Sequence, residues 1–180
     1  PSLYPVSSLF TIDPADAARH IIVPDFYLGA SVDDETDGQP GDEALDDDNN
    51  GEFDDDEDGV RFPDYLGTVA QPTGVLFLGR NATLTITGTK PVTDAGLLNA
   101  WIDWNGDGVF DPSEMIEDLD DDGQPYPAYL TVPIPTTVVR DHLLGFRIRL
   151  SQEDNLSFDG PSLSGEVEDY MIRITCPDEP

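Results

Sequence analysis

The acidic residues of this chain are concentrated in a few short segments, and this clustering constrains the fold more than any other feature. There are 38 Asp and Glu against 8 Lys and Arg, which gives a formal net charge of −30. A compact body with so much charge of one sign repels itself. Most of the acids fall within residues 33–37, 42–58, 103–122 and 166–169, with hydrophobic segments between them. This distribution favours cation-binding loops over a generally acidic surface.

The same charge excludes some classes of function. Nucleic-acid binding is not expected, because contacts to phosphates need basic patches. Membrane insertion is not expected either, since the sequence has no apolar run of about 20 residues.

The length of 180 residues suits one domain, which we predict to span residues 1–176, with residues 177–180 as a tail. The chain opens at Pro1 without a methionine, which indicates a fragment of a longer protein with neighbouring domains.

Short strand-like runs separated by turn residues fill the sequence between the acidic clusters. Sixteen Gly and 16 Pro punctuate the chain, and such residues typically mark turns. The clearest helical signal is the short segment Pro14–Arg19, with Asp13 as its N-cap. The runs with strand character are residues 20–23, 81–88, 97–104, 129–134, 144–150 and 167–175. Roughly seven or eight strands, minimal helix and long acidic loops predict an all-β fold, an antiparallel β-sandwich whose loops bind cations.

Alternation within the strand-like runs predicts which side chains face the core. Residues 81–88 alternate apolar side chains with threonines, as expected for a strand with one buried face. In residues 144–150 the same period places Phe146, Ile148 and Leu150 inward. Arg147 and Arg149 are then predicted to point outward.

The segment Asp103–Glu114, DWNGDGVFDPSE, matches the twelve-residue calcium-loop pattern at every defined position. Calcium prefers six to eight hard oxygen ligands, and alternate residues of a tightly wrapped loop point inward to supply them. Gly108 stands at the sharp turn. The flanking residues have strand character, so we predict a calcium loop attached to a strand end. The predicted ligands are Asp103, Asn105, Asp107, the Val109 carbonyl, Asp111 and Glu114.

Three other acidic segments show the same spacing in whole or in part. The run at 46–58 fits the pattern in more than one register, with candidate ligands Asp46, Asp48, Asn50, Glu52, Asp54, Asp56, Glu57 and Asp58. Two half-motifs lack a final acidic ligand and read equally well as solvated turns. Their candidate ligands are Asp33, Glu35 and Asp37, and Asp118, Asp120 and Asp122. We therefore expect several calcium ions to be bound.

Six strings in fixed order carry a family resemblance. They are ARHII at 18–22, YLGASVDDETDGQP at 27–40, DDEDGVRF at 55–62, AWIDWNGDGVFDPSE at 100–114, RIRLS at 147–151 and GEVEDY at 165–170. Together they resemble the GEVED domain of large secreted bacterial proteins, over about residues 18–175. The chain also looks like the calcium-dependent peptide-binding modules of long bacterial adhesins. The resemblance implies an extracellular location, at the bacterial cell surface.

The GEVEDY string offers Glu166 and Glu168 on one strand face, as further calcium ligands, as structural hydrogen-bond acceptors, or as the solvated entry to a strand. Trp104, Arg61 and Arg147 are candidate ligand-binding residues, with core packing and surface exposure as the plainer alternatives. His20 and His142 lack metal-ligand spacing, and the sequence has no Gly-x-Ser-x-Gly elbow. A carboxylate bound to calcium stays ionised and is unsuited to general acid catalysis. We therefore do not expect an enzyme.

The resemblance and the calcium motifs together favour a calcium-dependent ligand-binding module of an adhesin. A calcium ion with an open coordination position binds a carboxylate directly, so the expected partner is a peptide or protein C-terminus. Two alternatives remain open at this point. One is a carbohydrate-binding module that uses calcium to bind a surface glycan, and the other is a structural spacer stiffened by calcium.

Overall fold

A computed structural model describes residues 18–32, 57–63, 69–71, 74–91, 96–120, 126–138 and 143–176, and gives no side-chain description for 69–71 and 117–120. Thirteen strands and one 3₁₀ turn, Pro112–Glu114, lie in this part of the chain. The strands are Arg19–His20 (β1), Tyr27–Leu28 (β2), Val60–Pro63 (β3), Val69–Gln71 (β4), Gly74–Phe77 (β5), Asn81–Ile86 (β6), Gly88–Thr89 (β7), Leu97–Ile102 (β8), Met115–Asp120 (β9), Ala128–Pro133 (β10), Leu143–Ser151 (β11), Pro161–Ser162 (β12) and Glu166–Thr175 (β13).

One of the two main sheets has four antiparallel strands in the order β10-β6-β3-β4. Strands β3, β6 and β10 alternate buried and more exposed side chains, as in β6, where Ala82, Leu84 and Ile86 are buried. Leu84 lies directly opposite Leu130 of β10. The predicted period of two is therefore confirmed for this sheet, and its apolar face is turned to the core.

The other main sheet has five strands in the order β5-β13-β11-β8-β9. Its strands pair antiparallel except at one edge, where β5 runs parallel to β13. The long central strands β11 and β13 are buried almost throughout. This continuous burial indicates that the sheet is covered on both faces.

The inner faces of the two sheets share one hydrophobic core. Phe62 of the four-stranded sheet meets Phe146 and Tyr170 of the five-stranded sheet, with ring centroids 5.5 and 5.6 Å apart and the rings nearly perpendicular. Such edge-to-face contacts are a favourable packing of aromatic rings. The predicted all-β sandwich is confirmed: the described residues contain no α-helix, and none of their segments is a helix suited to crossing a membrane.

The outer face of the five-stranded sheet corrects one prediction. Arg147 and Arg149 do point away from the core, but they are only 2% and 0% exposed. Two loops cover them, residues 103–114 and 152–165, and the loop residues Phe110 and Phe158 belong to a second hydrophobic cluster. Alternation identified the face correctly, but it carries no information about what lies over that face.

Element boundaries also differ at the N-terminal end of the described chain. The strand expected at 20–23 is limited to Arg19–His20, which pairs in parallel with β12, while Val23 forms an isolated bridge with Phe26. Most of the predicted helix Pro14–Arg19 lies outside the described residues; Arg19, its last residue, is in β1.

Candidate functional site

The predicted calcium loop connects the end of β8 to the start of β9. Its first residue, Asp103, is fixed to the sheet because its amide donates to the Gly145 carbonyl at 3.1 Å. At the other end, Pro112–Glu114 form a 3₁₀ turn capped by the Asp111 side chain. Trp101 and Met115, which flank the loop, are register partners in β8 and β9. The loop is therefore held at both ends by the rigid five-stranded sheet.

Asp103 folds the first half of the loop around its carboxylate. Its Oδ1 accepts hydrogen bonds from the amides of Gly106 (2.7 Å) and Asp107 (3.2 Å), and its Oδ2 accepts from Gly108 (2.9 Å). Gly108 has φ +84°, a conformation that favours glycine. Asp103 is fully buried, and burial raises the pKa of its carboxyl group.

Glu114 closes the loop from the opposite end. Its two oxygens accept hydrogen bonds from the amides of Asn105 (3.3 Å) and Asp111 (3.1 Å), and the residue is 4% exposed. Burial raises the pKa of Glu114 to about 7; the two amide bonds oppose this shift, and the negative charges of Asp103 and Asp111 add to it. The side-chain charges that act on Glu114 are thus themselves negative, so a bound cation would relieve the repulsion.

The remaining predicted ligands lie on the exposed rim of the loop. Asn105 Oδ1 accepts from the Asp107 amide at 2.7 Å, Asp107 Oδ1 from the Val109 amide at 3.0 Å, and Asp111 Oδ1 from the Ser113 amide at 2.7 Å. Within the described part of the chain, no three Asp, Glu, His or Cys side chains surround one point closely enough to hold a metal. The other predicted donors of the loop, the Asn105 side-chain oxygen and the Val109 carbonyl, are of kinds outside that set of four side chains.

The donor set of this loop nevertheless suits calcium. All of its donor atoms are hard oxygens, placed at the spacing of the calcium-loop pattern. Two of the donor groups, Asp103 and Glu114, are buried carboxylates, and the side-chain charges that act on Glu114 are both negative. The site would be completed by Asp103 and Glu114 from inside and by Asn105, Asp107 and Asp111 from the rim.

The GEVEDY glutamates act as structural hydrogen-bond acceptors at a different place in the fold. Glu166 Oε2 accepts from the Leu28 amide at 2.6 Å, and Glu168 Oε1 from the Gly59 amide at 3.0 Å. Tyr170 donates to Glu168 Oε2 at 2.9 Å and accepts from the Val60 amide at 2.9 Å. These contacts agree with the prediction that Glu166 and Glu168 are structural hydrogen-bond acceptors.

Of the other predicted ligands, only a few fall in the described residues. Glu57 is buried, and Asp58 Oδ1 accepts from the Ala30 amide at 2.8 Å. Asp118 and Asp120 lie in β9, opposite Asn99 and Leu97, and their side chains are not described. Outside the described residues lie Asp33, Glu35, Asp37, Asp46, Asp48, Asn50, Glu52, Asp54, Asp56 and Asp122.

The three predicted ligand-binding residues are separated by the structure. Arg61 is exposed on β3, and Trp104 is partly buried against the main core. Arg147 is buried and paired with Asp169, through bonds of 2.8 Å from Nε to Oδ1 and 2.6 Å from Nη2 to Oδ2. Its burial contradicts the reading of Arg147 as an exposed surface arginine, and it also leaves little of the side chain accessible to a ligand.

Sequence reasoning missed two residues, Phe110 within the loop and Phe158 beside it. Phe110 is 1% exposed, with its ring 6.4 Å from that of Phe158 and beneath the Arg147 guanidinium at 5.4 Å. The available signal was an aromatic residue between two predicted ligand positions of the loop, because such a residue needs an apolar surface to pack on.

Comparison with known protein families gives a match for part of the chain. Residues 97–173 match the model of the GEVED domain. This stretch begins at the first residue of β8 and ends within β13, so it contains the Asp103–Glu114 loop and the GEVEDY string. Comparisons with curated proteins and with solved structures gave no match.

Proposed function

Since residues 97–173 match the model of the GEVED domain, we propose that the chain is a calcium-binding module whose loop Asp103–Glu114 holds one of its ions. The observation that supports this most directly is the pair of buried carboxylates, Asp103 and Glu114, at the first and last ligand positions of the loop. Burying two like charges in one small loop is unfavourable unless a cation accompanies them. Calcium suits the all-oxygen donor set better than zinc, which prefers nitrogen and sulfur ligands.

A calorimetric titration of calcium into chelator-treated protein tests this proposal. Glu114→Gln removes a charged oxygen donor and should weaken binding roughly 10- to 100-fold, the effect of losing one charge-assisted contact of about 1.5–3 kcal/mol. Asp154→Asn is the matched control, because Asp154 is an exposed acid outside the loop. Equal affinities for the wild type, Glu114→Gln and Asp154→Asn would exclude the loop as a binding site.

We further propose that the module serves an extracellular adhesin of bacteria and binds the C-terminus of a peptide or protein through calcium. The charge of the chain explains why such a partner would need calcium. A chain with net charge −30 repels an anionic chain end, but a calcium ion at the exposed rim of the loop would offer that end a direct ligand position. The exposed Asp107 and the half-exposed Val109 leave that rim accessible to solvent.

A peptide array probed with and without chelator tests the ligand. The proposal predicts binding to peptides with a free C-terminus, loss of binding when the terminus is amidated, and loss of all binding in chelator. Chelator-sensitive binding on a glycan array instead would identify a carbohydrate-binding module. Calcium-dependent stability with no hit on either array would identify a structural spacer.

A further inference from the structure

The middle of the calcium loop is anchored to the outer face of the five-stranded sheet by Phe110. This side chain follows Val109 and precedes Asp111, two of the predicted ligand positions, yet it is 1% exposed while Val109 is 47% exposed. It packs in a cluster with Trp101, Met171, Met115 and Phe158. The backbone between two ligand positions is therefore fixed by a buried ring.

Both ends of the loop are attached to the same cluster. Trp101 lies two residues before Asp103, and Met115 directly follows Glu114. Met171, from β13, forms part of the floor. The predicted ion site is thus held at three points by one hydrophobic cluster, and the shape of that cluster determines where the ligand positions lie.

The cluster is closed on its remaining side by a loop that is distant in sequence, residues 152–165. Its Phe158 ring lies 6.4 Å from both Trp101 and Phe110. Arg147 donates to the Phe158 carbonyl at 2.9 Å. Arg149 donates hydrogen bonds of 2.6–2.9 Å to the carbonyls of three residues that flank Phe158 in the chain, namely Ser157, Asp159 and Gly160.

The two arginines are themselves rigidly placed. Arg147 is fixed by its two bonds to Asp169, and Arg149 Nε donates to His20 Nε2 at 2.9 Å. Residues 157–160 are therefore held by charge-assisted bonds from side chains that cannot easily move. The backbone that carries Phe158 is therefore fixed, and its ring packs against Phe110 in a defined position.

We infer that Phe158 is a positioning residue for the cation site in Asp103–Glu114, acting through Phe110. This inference rests on the proposed calcium function and adds to it a residue outside the loop. Removing the Phe158 ring would let Phe110 move out of the cluster, and the Val109 carbonyl and Asp111 would lose their placement with it. A role limited to packing would lower stability and leave the affinity of the folded protein for calcium unchanged.

The test compares calcium affinity in Phe158→Ala, Phe158→Tyr and a control, Leu84→Ala, by calorimetry of the full chain. Leu84 is fully buried in the four-stranded sheet and belongs to the main core, so its truncation destabilises without touching the cluster. We expect Phe158→Ala to weaken binding about tenfold, within the usual range of coupling between sites. Phe158→Tyr should restore it, and Leu84→Ala should change it less than about twofold. Equal affinity in Phe158→Ala and wild type would overturn the inference.

Hydrogen exchange of the metal-free proteins separates this inference from the proposed function. If Phe158→Ala does not fold, the milder Phe158→Leu is used in the same measurement. The amides of Gly106, Asp107 and Gly108 are bonded to Asp103, and they should exchange faster in the Phe158 variant but not in Leu84→Ala. If this coupling is seen while wild type binds no calcium, the proposed function fails, and only the structural coupling of Phe158 to the loop remains. If wild type binds calcium but exchange in the loop is unchanged, the positioning role fails.

Discussion

Arg147 and Asp169 lie directly opposite each other on β11 and β13 and are joined by two buried hydrogen bonds, from Nε to Oδ1 at 2.8 Å and from Nη2 to Oδ2 at 2.6 Å. Their side chains are 2% and 6% exposed. The guanidinium of the same arginine lies over the ring of Phe110 and donates a hydrogen bond to the carbonyl of Phe158. The pair therefore connects the centre of the sheet to both loops that cover its outer face.

Breaking this pair should be strongly destabilising. Arg147→Met leaves the Asp169 carboxylate buried without its cation, and such a loss typically costs about 3–5 kcal/mol. Chemical denaturation measures the change. Arg61→Met is the control, because Arg61 is exposed on β3 and its removal should change the free energy of unfolding by no more than about 0.5 kcal/mol. Similar effects of the two substitutions would contradict the structural role given to the pair.

Gly165, which opens the GEVEDY string, should lose stability when a side chain is added. It has φ +88°, and an added Cβ would collide with the Leu150 carbonyl oxygen. Gly160 has a similar φ of +77°, but a Cβ there meets nothing within 4 Å. Both alanine variants bear the left-handed backbone penalty of about 1–2 kcal/mol. We expect Gly165→Ala to lose roughly 2 kcal/mol more than Gly160→Ala, from the additional steric strain; equal losses in thermal unfolding would show that the collision is relieved without cost.

His20 should make the protein less stable in acid. Its Nδ1 bonds the Ser164 carbonyl at 2.7 Å while its Nε2 accepts from Arg149, so the ring is neutral with its proton on Nδ1. Burial, then the charge of Arg149, lowers the pKa of His20 from 6.5 to about 3. Between these values the unfolded chain binds a proton that the folded one does not, so stability falls as pH drops from 6.5 towards 3.

The contribution of His20 is isolated by comparing the wild type with His20→Gln, which does not titrate. The free energy of unfolding of the wild type should decline with acidification more steeply, by up to about 1.4 kcal/mol per pH unit in that window. Parallel pH profiles for the two proteins would show that the imidazole is protonated in the folded state.

How far the sequence predicts this fold can be judged from individual residues. The alternation of Ala82, Leu84 and Ile86 identified a half-buried strand, because it reports a property of one strand and one face. The burial of Arg147 was not predictable in the same way. It depends on Asp169, 22 residues away, and on loops whose path over the sheet no local period encodes.

The candidate site shows the same division. The spacing of Asp103, Asn105, Asp107 and Glu114 was readable because a local loop supplies all of these side chains. Strand β9 was missed, since Met115 and Ile116 are followed by acidic residues that resemble another half-motif. Phe110 stands at a position the pattern leaves undefined, so its contact with Phe158 emerges only from the three-dimensional arrangement.

We propose that bound calcium offsets the mutual repulsion of the clustered acids and thereby stabilises the folded chain. The most direct test is chemical denaturation of the same protein in chelator and at a series of calcium concentrations. The free energy of unfolding should rise with calcium, by about 2.7 kcal/mol at one hundred times the dissociation constant. A chelated protein that is as stable as the calcium-loaded one, together with calcium affinity weaker than about 1 mM, would contradict the claim.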